Sequence, residues 1–496
     1  MKDTFIKNTF VLVVSGILVK ALGLANRIVI TRMLGTEGIG LYMMSFPTIL
    51  LFITLSQLGM PIAISKLISE NKISKRLKNS EIILNSIFIS VMVSSLLIMV
   101  LLIIVKPLSN NWLGNPDTYY PILTTIILIP LVSFSGILKG YLHGLKLMNI
   151  TSYSHIIEQI TRITISIMVV YFMLPYGLVI AVTASLIAMS FGELLAISYM
   201  LLKIRKIAPN AHIKLQITSD SKDILEIAIP STSSRLVGSL TYFFEPIIFS
   251  FALRNYLNSD TINNVYGNIT GFAISLLLIP SFFTHAISTA LLPSISESYS
   301  KKDFKRLDKL FRSSMLLIFI PSGLIAIILT FYSYEFMNLL FRTTNGANYA
   351  SYMAPFFFVF YFQAPIISIL HGLNKSKIVM VNSILISILK LALIFLLSSN
   401  TTINSHGLPI ASILSTTLLT FINFRILAIT INVKTSFLTL TKMITIITVS
   451  LLALLFFKEH NMNYLKSTLI VSCIYLLLVH GLNLLKFNSL FKALKN

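Results

Sequence analysis

Charge is what this sequence has least of. Asp, Glu, Lys and Arg make up only 11% of its 496 residues, about half the share of a soluble globular chain. A water-soluble enzyme of this length is thereby excluded. Acid is scarcer than base: 17 Asp and Glu stand against 39 Lys and Arg, a formal net charge of +22. The one cysteine, Cys473, lies in an apolar run, so no disulfide forms within the chain. No polar stretch is long enough to fold as a separate soluble domain. The basic excess therefore belongs to no nucleic-acid-binding module, and no nucleic-acid partner is expected. It reads as the cytoplasmic-loop bias of a bacterial-type membrane protein.

What is present is apolar. Hydrophobic residues make up 55% of the chain, and the mean hydropathy is +0.85. Runs near 20 residues long recur from end to end, which predicts an all-α polytopic membrane protein. About 14 transmembrane helices are expected, at roughly 10–31, 41–65, 81–105, 119–142, 149–172, 177–202, 225–253, 268–292, 313–331, 351–371, 378–398, 405–430, 438–457 and 463–485. Lys2 and Lys7 resemble the start of a signal peptide, but no small-x-small cleavage site follows, so a retained first helix is expected. With residues near span ends counted to the adjoining loops, 27 Lys and Arg fall on the face that holds both termini and 6 on the other. Both termini are therefore expected in the cytoplasm.

The chain repeats itself. Ile68-Ser69-Glu70 recurs as Ile295-Ser296-Glu297, and Leu142-His143-Gly144-Leu145 as Leu370-His371-Gly372-Leu373. Arg162 matches Lys390, and Gly177-Leu178 matches Gly407-Leu408, all at offsets of 227 to 230 residues. Six spans separate the copies, an even number, so both copies run the same way through the membrane. The prediction is two parallel six-helix repeats, 1–210 and 211–432, plus a C-terminal helix pair at 433–496. Two parallel bundles meeting at a seam form a transporter architecture, with substrate near the midplane and alternating access. No filter-like loop supports a channel.

The basic residues singled out within the predicted spans are Lys20, Arg27, Arg162, Arg235, Lys390 and Arg425. The acids singled out there are Glu158, Glu193 and Glu245. An isolated charge near the bilayer centre costs about 2.5–3.5 kcal/mol on insertion scales, so such residues face a bundle interior or a wet cavity. Lys20 and Arg27 lie seven residues apart and share a helix face with Gly16 and Gly23. Glu158 precedes Arg162 by four residues, the favourable order for an intrahelical pair, and His155 shares their face. Arg235 and Arg425 lie nearer the cytoplasmic ends, within reach of headgroups. Glu245 precedes Pro246 and marks a candidate kink. The three acids are candidates for charge balance or ion coupling. The net positive balance suits an anionic substrate, whereas a carrier of cationic drugs calls for the opposite sign.

Other features are less directive. Span 7 opens with Ser231-Thr232-Ser233-Ser234, suited either to substrate contact or to helix packing. Basic runs at 72–78 and 301–309 are expected at the anionic inner surface. No cofactor, metal site or catalytic residue is expected.

The opening stretch carries a dense pattern: Gly16-x3-Lys20-x-Leu22-Gly23-x2-Asn26-Arg27-x-Val29-Ile30-x-Arg32, then Gly35-x-Glu37-Gly38-x-Gly40-Leu41-Tyr42-Met43-Met44, Pro47-Thr48 and Gly59-x-Pro61-x-Ala63-Ile64-Ser65-Lys66-Leu67. It resembles the start of the stage V sporulation protein B group. That group lies on the polysaccharide-transporter branch of the multidrug/oligosaccharidyl-lipid/polysaccharide (MOP) flippase superfamily, related to lipid II flippases. The resemblance implies two six-helix lobes around a cavity and a trailing pair that forms a groove for a lipid tail. It implies a flippase in the bacterial cytoplasmic membrane, moving an undecaprenyl-pyrophosphate-linked glycan to the outer leaflet in spore-cortex or cell-wall synthesis. Its partners would be that glycan, the lipid bilayer and cell-wall assembly proteins. The related flippases carry basic residues at the positions of Lys20 and Arg32, while a further arginine of theirs falls at Asn26, beside Arg27.

On this reading Lys20, Arg27, Arg162, Lys390 and Arg235 contact the substrate anion. The alternative is a cation-coupled multidrug exporter of the same superfamily. A membrane enzyme would want a carboxylate site on a sizeable outer loop. Here the outer loops are short, with scattered Glu37, Asp117, Asp260, Glu335 and Glu459.

Overall fold

A computed structural model describes residues 2–74, 79–207, 221–431, 437–482 and 484. Among the described residues every regular element is a helix. In hydrocarbon each backbone N–H and C=O must find its partner within the chain, and a helix does this within one segment. By contact density the chain forms two units, residues 1–271 with 391–407, and 272–390 with 408–496. The lobes expected from the repeat are a different kind of division, drawn on sequence rather than on contacts.

The first unit contains α1 (Lys2–Gln57), α2 (Met60–Ser74), α3 (Asn79–Pro107), α4 (Tyr119–Leu123), α5 (Thr125–Gly144), α6 (Met148–Met173), α7 (Leu178–Ile207), α8 (Ser221–Leu253) and α9 (Ser259–Tyr266). At 1.5 Å per residue, the 56 residues of α1 would span about 84 Å if straight, far more than a bilayer core of about 30 Å. The run breaks at Gly35 (φ 67°, ψ −167°), a conformation open to glycine. It therefore comprises two spans with no polar loop between them.

The second span was expected to run unbroken over 41–65. It stops at Leu58 and Gly59, both at positive φ, and restarts as α2. The cause is contact with α8. A Cβ at Gly59 would lie 2.1 Å from Ser231 Oγ and 2.4 Å from the Ala228 carbonyl oxygen. Hydropathy does not register this break, because apolar residues lie on both sides of it, at 50–55 before and 60–64 after.

The second unit contains α10 (Ile274–Leu277), α11 (Ser281–Ser300), α12 (Phe304–Phe341), α13 (Ala347–Phe360), α14 (Gln363–Gly372), α15 (Ser376–Ser398), α16 (Gly407–Ile431), α17 (Phe437–Glu459) and α18 (Tyr464–Gly481). The chain of α15 passes from this unit into the first after Lys390. The trailing helices α17 and α18 pack on each other and on α12 through Phe319, Tyr332, Ile446, Leu454, Val471 and Tyr475. Tyr475 donates a hydrogen bond to the Phe319 carbonyl at 3.2 Å, over Gly323, where a Cβ would sit 2.6 Å from the hydroxyl.

Among the described residues 12 helical stretches are long and apolar enough to cross a membrane. A bent pair, Ser259–Leu277 and Ser281–Ser300, raises this to 13 if read as one span. The first stretch, Leu18–Glu70, covers both sides of the Gly35 break. Dividing it there recovers the fourteen expected. Lipid-facing surface is plain on α3, where Val91, Met92, Leu96, Met99 and Ile103 are all more than half exposed. A soluble monomer does not present such a stripe.

The repeat is visible in atomic contacts. Gly144 on α5 meets Ile68 on α2, where an added Cβ would lie 2.8 Å from Ile68 Cβ. Gly372 on α14 meets Ile295 on α11, with 2.7 Å to Ile295 Cγ2. These are the repeated motifs themselves, touching each other in both halves. Both helices close with the same turn. Leu147 N–H bonds the Leu142 carbonyl around Lys146 (φ 64°), and Lys375 N–H bonds the Leu370 carbonyl around Asn374 (φ 61°). The histidines of the two motifs each reach a hydroxyl on the next helix: His143 to Thr151 at 3.0 Å and His371 to Ser376 at 2.8 Å. Small residues at four-residue intervals, Gly136-Gly140-Gly144 and Ala364-Ser368-Gly372, let these backbones close. Gly144→Val and Gly372→Val should therefore each destabilise by about 1–3 kcal/mol through overpacking. Thermal unfolding in detergent checks this, and a loss at only one of the two sites would contradict the equivalence.

Candidate functional site

The first unit encloses a cavity of about 200 Å3. The part of α1 before Gly35 supplies Gly23, Asn26, Arg27 and Ile30, and the part after it supplies Ile39, Tyr42, Met43 and Phe46. Arg162 enters from α6 and Tyr242 from α8. The Gly35 break thus lets one continuous helical run line two sides of the same space.

Two guanidinium groups share this small volume. Arg27 Nη2 donates to the Thr270 carbonyl at 2.5 Å and approaches Met43 Sδ at 3.5 Å. Thr270 lies in the π-helical turn Gly267–Ala273, the kind of local unwinding that recurs at functional sites. That turn is pressed against α1, where a Cβ on Gly267 would lie 2.7 Å from Gly40 Cα and one on Gly271 would lie 2.6 Å from Ile39 Cγ1. Arg27 Nε, Arg162 Nε, Asn26 Oδ1 and Gln159 Oε1 are buried without a hydrogen-bond partner among the described residues. A buried donor left unmade costs about 1–3 kcal/mol, more when charged. Such a site is poised to gain from an anion that accepts those donors.

Arg162 is held from behind by a glycine. A Cβ at Gly192 on α7 would lie 2.8 Å from the Glu158 carbonyl oxygen and 3.4 Å from Arg162 Cβ. Helices α6 and α7 are therefore in backbone contact at this level, which fixes the direction of the Arg162 side chain.

The expected Glu158–Arg162 pair does not form. Glu158 Oε2 lies 3.7 Å from Lys139 Nζ and 3.4 Å from His155 Nδ1. Lys139 Nζ also lies 3.2 Å from Glu193 Oε1. Side-chain exposures of 12% for Lys139, 16% for Glu158 and 7% for Glu193 place all three inside the bundle. Lys139 lies inside the expected span at 119–142 but, three residues from its end, is counted with the loop and not among the basic residues singled out within spans. The usable signal was its position inside an apolar run, one turn before His143.

The remaining charges disperse. Lys20 is exposed, two turns before Arg27, and does not line the cavity. Arg235 is exposed, and its Nη2 donates to Gln57 Oε1 at 3.1 Å. Glu245 is buried on α8, which continues through Pro246 to Leu253. Lys390 on α15 belongs to the second unit, as does the exposed Arg425 on α16. The hydroxyls that open span 7 bond within their own helix: Ser231 and Thr232 to the Ala228 carbonyl, Ser233 to that of Ile229. This accords with packing against α2. Ser234's side chain and residues 75–78 of the first basic run lie outside the described residues. In the second run Lys301 and Arg306 pair with Glu297, and Arg312 beyond it pairs with Asp308.

The second unit holds two further cavities. One of about 440 Å3 lies between α11 and α14, lined by hydroxyls with His285, Gln363 and His371. The other, about 330 Å3, is almost wholly apolar, walled by Phe311, Phe358, Phe362, Phe421, Phe424 and Met443. Helix α17 supplies one of its sides through Thr439, Leu440 and Met443.

Known proteins share this architecture. The chain is 32% identical over 445 residues to stage V sporulation protein B of Bacillus subtilis (strain 168), covering 87% of this chain and 86% of that one. It is 24% identical over 439 residues to the lipid II flippase MurJ of the same organism, covering 79% and 77%. Among solved structures, a lipid II flippase MurJ in an inward closed conformation superposes with a TM-score of 0.73 at 14% identity, over 95% of this chain and 98% of that one. An inward-facing multidrug resistance MATE family transporter of the MOP superfamily gives 0.62 at 16% identity, over 86% and 98%. These structural likenesses establish a multi-pass MOP-type helical fold. A model of the MatE family matches residues 268–396. The polysaccharide biosynthesis protein model matches residues 5–299. The chain belongs to the polysaccharide biosynthesis protein family, alongside stage V sporulation protein B.

Proposed function

We propose that the protein is a flippase that carries a lipid-linked glycan, such as a peptidoglycan precursor, from the inner to the outer leaflet of the bacterial cytoplasmic membrane by alternating access. The observation that carries this reading is the cavity holding Arg27 and Arg162, whose Nε atoms are buried without a hydrogen-bond partner among the described residues. A pyrophosphate offers clustered acceptor oxygens, and arginine binds phosphate through paired N–H donors. Lys390, the repeat equivalent of Arg162, is also assigned to substrate contact, as are Lys20 and Arg235. The apolar cavity beside α17 is assigned to the lipid tail. Both termini lie in the cytoplasm on this reading, and wall-assembly proteins are its partners in spore-cortex or cell-wall synthesis.

The multidrug-exporter reading is supported by the MATE-type fold, but the cavity has the wrong sign for cationic drugs. Neutralising Arg162 and Lys390 together, as Arg162→Gln with Lys390→Gln, should reduce flipping of a labelled undecaprenyl-pyrophosphate oligosaccharide in vesicles by about a hundredfold or more. Each lost charge-assisted bond is worth about 1.5–3 kcal/mol. Unimpaired flipping by a folded double variant overturns the assignment.

A further inference from the structure

The buried set Lys139, Glu158 and Glu193 occurs in one repeat half only. At the offsets of their helices, 228 residues for α5 and α6 and 230 for α7, the equivalent positions are Ile367, Ile386 and Asn423. The second half packs its positions without ions. Ile386 is 7% exposed, Asn423 is fully buried, and Asn423 Oδ1 accepts from Asn382 Nδ2 at 2.9 Å. Neighbouring positions match across the halves, with Ala181 and Ala411, and Ser185 and Ser415, all buried. The protein's own second half therefore shows that this packing does not require charges. Buried ion sets generally pack no better than apolar residues of the same volume, so the set needs a reason beyond stability.

Its geometry supplies one. Glu158 precedes Arg162 by four residues, the order that best favours a pair along a helix. Left alone, that carboxylate would neutralise the guanidinium that faces the cavity. Instead Lys139 Nζ lies 3.7 Å from Glu158 Oε2 and 3.2 Å from Glu193 Oε1, and among the described residues no carboxylate comes within 4.0 Å of Arg162. We propose that Lys139 is a built-in counter-cation whose ammonium holds Glu158 and Glu193, and so leaves Arg162 available to an anion. In the second half the residue four before Lys390 is the neutral Ile386, so no carboxylate at that position calls for a counter-cation. Lys139 is then a positioning residue. The two carboxylates are its ligands rather than a seat for an exchangeable coupling ion. The proposal rests on the reading of Arg162 as an anion ligand.

Full-length protein in detergent, probed with inorganic pyrophosphate and read by the rise in melting temperature, tests it. Wild type should show a saturable rise. Lys139→Met should melt lower and bind pyrophosphate about tenfold or more weaker, because Glu158 turns onto Arg162. The transplanted second-half set, Lys139→Ile with Glu158→Ile and Glu193→Asn, should fold like wild type and bind within about threefold of it. A folded triple variant that has lost binding overturns the proposal, as does a Lys139→Met protein that binds normally. If Lys139→Met does not fold, the triple variant decides alone. A wild-type chain with no response, matched by Arg162→Gln, removes the anion site and the proposal together. Loss confined to the triple variant removes the proposal and leaves the anion site standing.

Discussion

Arg162→Leu should raise the melting temperature of the purified protein and abolish flipping in the same sample. Two guanidinium groups line a cavity of about 200 Å3, and among the described residues no carboxylate pairs with either. Each has lost hydration, and the two repel. Replacing one with an apolar side chain of lower desolvation cost removes both penalties, worth about 1–3 kcal/mol. For a chain of this length that corresponds to a rise of a few degrees. Transport falls on the proposed reading because the donors assigned to the substrate's phosphate are gone. Stability and activity thus move in opposite directions, as expected where a site is held in readiness for its ligand. Pyrophosphate should stabilise wild type and leave the leucine variant unmoved. A fall in melting temperature would mean that Arg162 is a structural side chain with satisfied partners.

Gly59→Ala should be the most damaging single methyl group in the first unit. The residue sits at φ 62°, and its Cβ would overlap Ser231 Oγ at 2.1 Å and the Ala228 carbonyl oxygen at 2.4 Å. The left-handed conformation alone costs an alanine about 1–2 kcal/mol. Separating α2 from α8 adds about as much again or more, because the obstructing atom is backbone and cannot rotate away. A loss of about 3–5 kcal/mol should appear as low yield and an aggregated elution profile on size-exclusion chromatography. Gly238→Ala is the control: nothing lies within 4 Å of its added methyl, and alanine favours the helix. Equal behaviour of the two variants would remove the argument.

Most of the architecture was legible because lipid imposes a simple grammar on apolar runs. The helical spans and the repeated motifs follow from hydropathy and spacing. What escaped was three-dimensional. The break at Leu58 and Gly59 exists because another helix comes within backbone distance, and an apolar average cannot register that. Glu158 stands in the favourable order for a pair with Arg162, since sequence shows only its own helix, while Lys139 arrives from α5. Lys20 and Arg27 do share a helical spacing. The cavity nevertheless closes around Arg27 alone, because the helical run turns at Gly35 to wrap that end.

The Gly35 break also bears on how the chain enters the membrane. A ribosome delivering α1 presents two apolar stretches joined by a glycine rather than a hydrophilic hairpin loop. Charge counting across such a junction gives the insertion machinery almost nothing to read, since only Arg32 and Glu37 flank it closely. Lys2 and Lys7 ahead of the first stretch and Lys66 behind the second are then left to set its orientation. The pair would integrate as one helical hairpin, and the two walls of the arginine cavity would be brought together while the rest of the chain is still being synthesised.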